Sequence, residues 1–315
     1  MEDYPRTLDE FKARFRNKQA CREYLEQLRW PDGLICPRCN GRKAWRTRRG
    51  LWVCCRCGYQ ASVTAGTMFQ DAHEPLTTWF NAIWWVTSQK TGASALGLQK
   101  VLGLHSYRTA WTMLQKLRRA MVRPGRQRLS GRVEVDDTYI GGFEEEARGR
   151  KLGKKALVVI AAQEDGKGIG RIRMRRIKDA SADSLHAFIV DSVEPGSVVH
   201  TDGWDGYGGL GCKGYTHEVT PLTDRGKSAS TLLPRVHRVA SLVKRWLSGT
   251  HQGAISREHL NHYLDEYTFR FNRRASHYRG KLFYRLVQQA LTVGPVPYKL
   301  IVKHVRGRRP KHHNL

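Results

Sequence analysis

Two aspartates stand where apolar runs end, in a chain whose formal net charge is +27. Asp136 lies in VEVDDTYIGG and Asp202 lies in HTDGWDGYGG, and the run before each predicts a strand. Carboxylates brought together at strand ends raise each other's pKa unless a cation lies between them. Two divalent ions about 4 Å apart would meet that need and could activate an oxygen nucleophile against a phosphodiester. The alternative is that each aspartate caps the turn or helix that follows its strand.

Four of the seven cysteines form two CxxC pairs, a spacing that suits a tetrahedral zinc site. Cys36 and Cys39 would supply two thiolates, and Cys54 and Cys57 the other two. Cys54 is a better ligand than Cys55, because Cys55 leaves a single residue before Cys57. Four protein ligands leave no open position for chemistry, so we predict a structural Zn2+ ion in a zinc ribbon. The odd number of cysteines argues against a disulfide framework.

Positive charge dominates the composition of the 315-residue chain, with 55 lysines and arginines against 28 aspartates and glutamates. Nucleic acid is the expected partner, because neutralising phosphates releases their counterions. The alternatives are a basic surface that only aids solubility or one that binds anionic lipid. The longest apolar run, ALVVIAA at 156–162, is far shorter than the roughly 18 residues of a membrane span. MEDYPRTLDEF has no apolar segment of a secretory signal, so we expect a cytoplasmic, nucleoid-associated protein with no membrane partner.

The N-terminal half is predicted to consist of small modules that bind a partner rather than catalyse a reaction. Helical spacing covers the first segment, a hairpin with its turn at Gly50 joins the cysteine pairs, and two helices follow, the second capped by Ser106. We interpret this pair as a helix-turn-helix. The predicted ranges are 1–30 for the helical segment, 31–71 for the zinc ribbon, 72–122 for the helix-turn-helix region and 123–131 for a linker.

The second helix of this pair carries four basic residues that could lie in or beside a DNA major groove. They are Arg108, Lys116, Arg118 and Arg119. The alternative is an ordinary helical pair whose apolar stripe is core, formed by Trp111, Leu114 and Leu117. We interpret a nearby group of tryptophans as packing rather than as a platform for base stacking; these are Trp79, Trp84 and Trp85.

Strand signals begin after residue 131 and give way to helical patterns later in the chain. Three strands in series, a helix, another strand and then further helices predict a mixed sheet flanked by helices. This α/β domain is predicted to span 132–291, followed by a basic tail at 292–315. The glycine- and arginine-rich segment 144–155 is predicted to be a mobile loop between the first two strands.

These motifs, in this order, resemble a known family. A four-cysteine ribbon followed by CGYQASVTAGTMF, VEVDDTYIGG, HTDGWDGY, LPRVHRVASLVKRWLSGTHQG and YLDEYTFRFNRR is similar to the zinc-ribbon insertion-sequence transposases of bacteria and archaea, in the DDE superfamily. The resemblance extends from about residue 8 to about residue 290. It implies a multidomain α+β protein, with a zinc ribbon and a helix-turn-helix before an RNase H-like α/β domain that has a mixed sheet.

The resemblance also implies an activity. A member of this family would bind terminal inverted repeats, cleave DNA at the ends of its element and join those ends to target DNA. Its partner would be double-stranded DNA, and a homodimer or larger assembly is expected on the DNA because two ends are handled together. The alternatives are a catalytically inactive DNA-binding regulator and a metal-dependent nuclease or resolvase of the same fold.

The resemblance assigns the first two metal-binding acids to Asp136, rather than Asp137, and to Asp202. The expected ions are Mg2+ or Mn2+, two of them. Asp137 would then be a helper or a turn residue, and Asp205 a surface residue.

The third ligand in the family is usually a glutamate on a helix, with a lysine or arginine two turns later. His237 and Lys244 occupy those positions here, a departure within the range that the family shows. A neutral imidazole brings one negative charge fewer than a carboxylate, so we expect weaker binding of the second ion and a preference for manganese. The alternative third ligands are Glu218 and Glu258.

Overall fold

The structure is a computed structural model that describes residues 2–123, 125–141, 155–220, 229–253 and 255–302. The chain forms two compact units, one of residues 1–123 with 276–315 and the other of residues 124–275. The segment expected as a loop, 144–155, lies outside the described residues except for its last residue, and so does most of the expected basic tail. No helix in the described ranges is both long and apolar enough to cross a bilayer.

Helices and strands are numbered in chain order. The helices are α1 (Leu8–Arg14), α2 (Lys18–Arg29), α3 (Leu76–Ser88), α4 (Ala95–Leu102), α5 (Tyr107–Ala120), α6 (Ala182–Ser192), α7 (Ala229–Leu232), α8 (Pro234–His251), α9 (Leu260–Phe271), α10 (Arg279–Thr292) and α11 (Tyr298–Val302). The strands are β1 (Ala44–Arg46), β2 (Trp52–Cys54), β3 (Gln60–Ala61), β4 (Arg132–Ile140), β5 (Ala156–Asp165), β6 (Gly168–Ile177), β7 (Val198–Thr201) and β8 (Thr216–Val219).

An aromatic core holds the first unit together. Phe11 of α1 stacks on Trp84 of α3, with ring centroids 4.6 Å apart, and both rings contact Phe283 of α10. Trp79 and Trp84 are buried, as the packing interpretation predicted. Because α10 packs on α3, the end of the range expected for the catalytic domain, 276–291, belongs to the first unit.

The helix pair α4 and α5 has the turn that its sequence predicts. Gly103 ends α4 in the left-handed conformation, with φ of 61°, which a glycine adopts without strain. Ser106 caps α5, because its hydroxyl accepts the backbone N–H of Thr109 at 3.1 Å.

The second unit contains a five-stranded sheet in the order β6-β5-β4-β7-β8. β4, β5 and β6 are antiparallel neighbours, whereas β7 and β8 run parallel to β4. Three antiparallel strands joined to parallel strands through the first of them form the RNase H-like arrangement, so the predicted fold class is confirmed. Helix α6 covers one face, with Phe188 buried against Val133 and Val135 of β4. Helices α8 and α9 cover the other face, where Ile160 of β5 is buried.

Helix α9 and the residue after it protect the outer edge of β6, which has no neighbouring strand among the residues that the structure describes. Asn272 accepts the N–H of Ile172 at 2.7 Å and donates to the same residue's carbonyl at 3.1 Å. Asn261 accepts the N–H of Arg176 at 2.8 Å. These amides satisfy polar groups that would otherwise invite pairing with another strand.

Candidate active site and zinc ribbon

Asp136 lies in the middle of β4, which corrects the expectation that it ends its strand. β4 pairs with β5 as far as Ile140, but its pairing with the parallel strand β7 stops at Glu134. Asp136 is therefore the second residue beyond the parallel pairing, at the carboxyl end of β7. Asp137, expected as a helper or a turn residue, is a strand residue whose N–H donates to the Asp136 carboxylate at 2.8 Å.

Asp202 follows β7 directly, and the register of β4 and β7 relates its position to that of Asp136. Glu134 pairs with His200 across the parallel strands, and Asp136 and Asp202 each lie two residues further along the chain. Side chains two residues apart in a strand share a face, and Glu134 and Asp136 both face α8, which they contact at Arg235 and His237. The charge of Asp202 also acts on His237. The oxygen Oδ1 of Asp202 accepts the backbone N–H of Trp204 at 3.1 Å, which begins the turn after the strand.

The first turn of α8 is attached to β4 by a buried carboxylate. Leu233, the residue before α8, has no capping side chain, and Pro234 has no N–H to donate. Glu134, only 1% exposed, takes over this role: it accepts the N–H groups of Arg235 at 2.7 Å and Val236 at 3.0 Å. The N-terminus of a helix favours such a negative charge. The register of α8 on the sheet is therefore set two residues from Asp136.

Arg235 extends this attachment. Its guanidinium contacts Glu134 at 2.8 Å and Glu164 at 2.9 Å, and it donates to the carbonyls of Gly166 and Gly168, both at 3.0 Å. Neither Glu134 nor Arg235 was identified from the sequence. The available signal was VEVD itself, because two acids on one face of a strand require cationic or hydrogen-bonding partners.

His237 lies two residues after Arg235 on α8, and its side chain lies beside Asp136. Its Nε2 is 3.6 Å from Oδ2 of Asp136, and both side chains are partly buried. Burial lowers the pKa of His237, while the charges of Glu134 and Asp202 oppose that shift and Lys244 adds to it. The imidazole is therefore neutral near pH 7, the form that can bind a metal ion.

Lys244 lies two turns further along the same side of α8. Partial loss of hydration lowers the pKa of its ammonium group, and the charge of Asp136 opposes that shift, so these two side chains interact. Between them, Ser241 turns its hydroxyl inward and donates to the carbonyl of His237 at 3.0 Å. The lysine remains exposed, which leaves its charge available to a phosphate.

The donor set of this site suits a hard or borderline divalent ion. Two carboxylates and a neutral imidazole provide oxygen and nitrogen ligands of the kind that Mg2+ and Mn2+ accept. Among the described residues, only the four cysteines form a set of three or more ligands within 4.8 Å of one another. The ligand atoms of Asp136, Asp202 and His237 are therefore not all within 4.8 Å of one another, and each aspartate also accepts a backbone N–H.

The two alternative third ligands lie elsewhere. Glu218, on β8, pairs with Arg132 on β4, at the level of Glu134 rather than that of Asp136. Glu258 is exposed just before α9, and its lowered pKa reflects a backbone hydrogen bond first and also the charge of Arg176 on the outer strand β6. Asp205 is exposed, as expected of a surface residue.

The four cysteines converge as predicted. The Sγ atoms of Cys36 and Cys57 are 3.6 Å apart, and those of Cys39 and Cys54 are 3.5 Å apart. Zn–S bonds of about 2.3 Å require sulfur separations of about 3.8 Å, so the set fits tetrahedral zinc. Cys55 is exposed and outside the cluster, which confirms the choice of Cys54.

The two turns that carry the cysteine pairs of the zinc ribbon have similar backbone conformations. Asn40 and Gly58 each lie four residues after the first cysteine of a pair, and both have positive φ, 55° and 68°. Gly41 lies so close to the sulfurs that a Cβ atom would come within 3.3 Å of Cys39 and Cys54. Backbone N–H groups, that of Cys57 first, lower the pKa of the Cys54 thiol to about 6, which favours the thiolate.

Helix α5 exposes less basic surface than its sequence suggested. Arg118 is 1% exposed on the inner side of the helix, so the expectation that it lies in or beside a DNA groove is wrong. Burial also lowers the pKa of Lys116 and of Arg119. The surface that α5 does offer is its first turn, where Tyr107 is 54% exposed and the Arg108 guanidinium lies 4.1 Å from the Tyr298 ring centroid.

Comparison with known proteins agrees with these modules. Residues 128–272 match the family of ISXO2-like transposase domains, and residues 16–60 match the transposase zinc-ribbon domain. Over 277 residues the chain is 25% identical to a Halobacterium salinarum protein described as an uncharacterized protein in transposable element ISH50. That match covers 81% of this chain and 91% of the relative.

Two solved structures share weaker likeness, each at 14% identity. A chain of the simian T-cell lymphotropic virus intasome in complex with PP2A regulatory subunit B56 gamma has a TM-score of 0.29; the match covers 53% of this chain and 63% of that one, less than two thirds of its length. A chain of the Mos1 strand transfer complex has a TM-score of 0.28, with 67% and 74% covered. The chain therefore combines an ISXO2-like transposase domain with a transposase zinc-ribbon domain, which agrees with the resemblance to the zinc-ribbon insertion-sequence transposases.

Proposed function

We propose that the chain binds the terminal inverted repeats of its element, hydrolyses a phosphodiester there and transfers the freed 3′-hydroxyl to target DNA. The observation that supports this proposal is the pairing of Glu134 with His200, two residues before Asp136 and Asp202, together with the 3.6 Å approach of His237 to Asp136. The formal net charge of +27 supports DNA as the substrate, because lysines and arginines that neutralise DNA phosphates release the counterions bound to them.

Each residue of the site has a distinct role in this proposal. Asp136, Asp202 and His237 would hold two divalent cations, Mg2+ or Mn2+. When bound, such a pair activates the attacking oxygen and stabilises the leaving oxygen of an in-line displacement. Lys244 contacts a phosphate next to the scissile bond, so the protein's task is placement and charge neutralisation.

DNA recognition is assigned to the first unit. The zinc ribbon carries seven basic residues, namely Arg38, Arg42, Lys43, Arg46, Arg48, Arg49 and Arg56. The exposed first turn of α5 adds Tyr107 and Arg108 at the end of a recognition helix that usually contacts base edges. Two ends must react together, so the active form is expected to be a homodimer or larger assembly on DNA.

Cleavage and joining of duplexes that carry the ends of the element test the proposal. Asp136→Asn and Asp202→Asn should abolish both steps in Mg2+ and in Mn2+ while DNA binding is retained. Asp205→Asn is the matched control, because this exposed aspartate lies three residues from Asp202 and should be dispensable.

Two other functions predict different results in the same assay. A catalytically inactive regulator would bind the ends without cleaving them in any metal. A nuclease or resolvase would cleave without joining and would not require the element's own ends. Full activity of Asp136→Asn would contradict the proposed site whichever function is correct.

A further inference from the structure

The three-stranded sheet of the zinc ribbon has an inner face that packs against α2. Arg46 of β1 and Trp52 of β2 lie opposite each other in the register, so they share that face. The Arg46 guanidinium is 3.2 Å from the Glu26 carboxylate, and the Trp52 ring meets the Trp30 ring edge-on, with centroids 6.4 Å apart. The helix and the residue after it therefore cover this side of the sheet.

The outer face of the sheet carries a row of three residues that point away from α2. Successive side chains of a strand alternate between faces, and Trp45 pairs with Val53, which in turn pairs with Gln60. Trp45 is 56% exposed, more than any other large apolar side chain among the described residues. The row thus presents an indole ring to solvent, and tryptophan in such a position is typical of binding surfaces.

The ribbon around this ring is positively charged. Residues 33–70 contain seven lysines and arginines and no aspartate or glutamate, so the module stays positive even with the net negative charge of four thiolates around one Zn2+. Lys43, two residues before Trp45, is exposed. Arg46, by contrast, is paired with Glu26 on the inner face. The outer face therefore suits a polyanion such as DNA.

The shape of the ribbon suits one groove of DNA. A two-stranded antiparallel ribbon such as β1 and β2 can enter the major groove with one face toward the bases. Base edges there offer hydrogen-bond donors, hydrogen-bond acceptors and one apolar group, the 5-methyl group of thymine. An indole ring gains free energy by burying that methyl group, whereas its single N–H can satisfy few of the polar edges. An exposed ring on a basic ribbon therefore predicts thymine as the base that it contacts.

We propose that the outer face of β1 and β2 enters the major groove of each element end and that Trp45 reads a thymine there through its methyl group. This inference rests on the proposed function, within which it identifies the face of the ribbon that reads DNA and the base that this face favours. Lys43 contacts a phosphate beside the groove, which adds affinity without selecting sequence.

A scan of thymines tests the contact. Dissociation constants are measured for the full chain on element-end duplexes without Mg2+ or Mn2+, with each thymine in turn replaced by uracil, which lacks only the methyl group. At one position the replacement should weaken wild-type binding by about 4-fold, the effect of one buried methyl group. Trp45→Ala should weaken binding to the intact end by more than about 5-fold and should be insensitive to uracil at that position.

Lys43 and Arg46 offer a matched pair of charge variants. Lys43→Gln should reduce the slope of log affinity against log salt concentration by about 1 and leave the thymine effect unchanged. Arg46→Gln should leave that slope unchanged, because its charge is already paired with Glu26. Retention of one zinc ion in each variant, shown by metal analysis, excludes loss of the ribbon as the cause of any difference.

Two outcomes would overturn the inference while the chain still binds and cleaves its element ends. One is wild-type binding that uracil weakens at no position, because the ribbon would then contact only phosphates or the minor groove. This measurement needs only the unaltered chain, so it does not depend on the folding of any variant. The other is a Trp45→Ala chain that stays as sensitive as the wild type to uracil at every position. A wild-type chain that neither binds nor cleaves its element ends would remove the proposed function and the inference with it.

Discussion

Replacing Glu134 by glutamine should loosen the first turn of α8 and with it the position of His237. Glutamine has nearly the same shape as glutamate but no charge, and only the oxygen of its amide group can accept hydrogen bonds. At least one of the two backbone N–H groups now bonded to Glu134, or the guanidinium of Arg235, would lose its partner.

The expected cost follows from the burial of this carboxylate. Glu134 is 1% exposed, and removing one partner of a buried ion pair costs about 3 to 5 kcal/mol. Hydrogen bonds to a charged group contribute about 1.5 to 3 kcal/mol each, and these contributions are not additive. We therefore expect Glu134→Gln to destabilise the attachment of α8 by about 3 kcal/mol.

Hydrogen exchange measures this local loss directly in the full chain. A change of about 3 kcal/mol corresponds to more than about 100-fold faster exchange of the amides of Arg235 and Val236. Exchange in β5 should change far less, which distinguishes local opening from global unfolding. Glu164→Gln is the control: this acid also contacts Arg235, but it is 25% exposed and should cost no more than about 1 kcal/mol.

Unchanged exchange of the α8 amides in Glu134→Gln would refute this account of how α8 is attached. The same would follow if Glu164→Gln had the larger effect. Cleavage should fall in Glu134→Gln even where both aspartates are intact, since His237 is the residue that follows the attached turn.

Three further outcomes are expected. Cys39→Ser should eliminate zinc from a chain that otherwise retains one ion, whereas Cys55→Ser should retain it, as measured by metal analysis of the purified protein. Burial raises the pKa of Asp265 to about 6, and the charges of Arg126 and Arg175 oppose this shift. The folded protein therefore binds this proton more tightly than the unfolded chain does. The free energy of unfolding should fall as the pH rises from about 4 to about 6. Asp265→Asn should remove that slope in urea unfolding and stabilise the protein at pH 7 by up to about 3 kcal/mol. His237→Glu should lower the Mg2+ concentration needed for cleavage more than the Mn2+ concentration, because it adds one negative charge to the site; an unchanged ratio would count against His237 as a ligand.

Local features of the fold were predictable because their causes are local. The two CxxC turns, the glycine that ends α4 and the serine cap of α5 all depend on residues within a few positions of one another. The order of strands and helices in 132–271 likewise follows from apolar patterning, and the five-stranded sheet agrees with it.

Other features depend on partners distant in sequence. The length of β4 is set by β5, which pairs with it beyond Asp136, and no signal in VEVDD reveals where that pairing stops. The burial of Arg118 depends on how α5 packs within its unit, which its helical spacing alone leaves open. The role of Glu134 becomes visible only once α8 is docked, since its partners lie about 100 residues later in the chain.

The most direct test of the candidate active site is a crystal structure of the chain grown with Mn2+ and recorded at a wavelength where manganese scatters anomalously. We predict anomalous peaks within about 2 to 2.5 Å of carboxylate oxygens of Asp136 and Asp202 and of a ring nitrogen of His237. Manganese bound at Glu218 or Glu258, or at Asp136 and Asp202 with His237 turned away, would contradict the proposed ligand set.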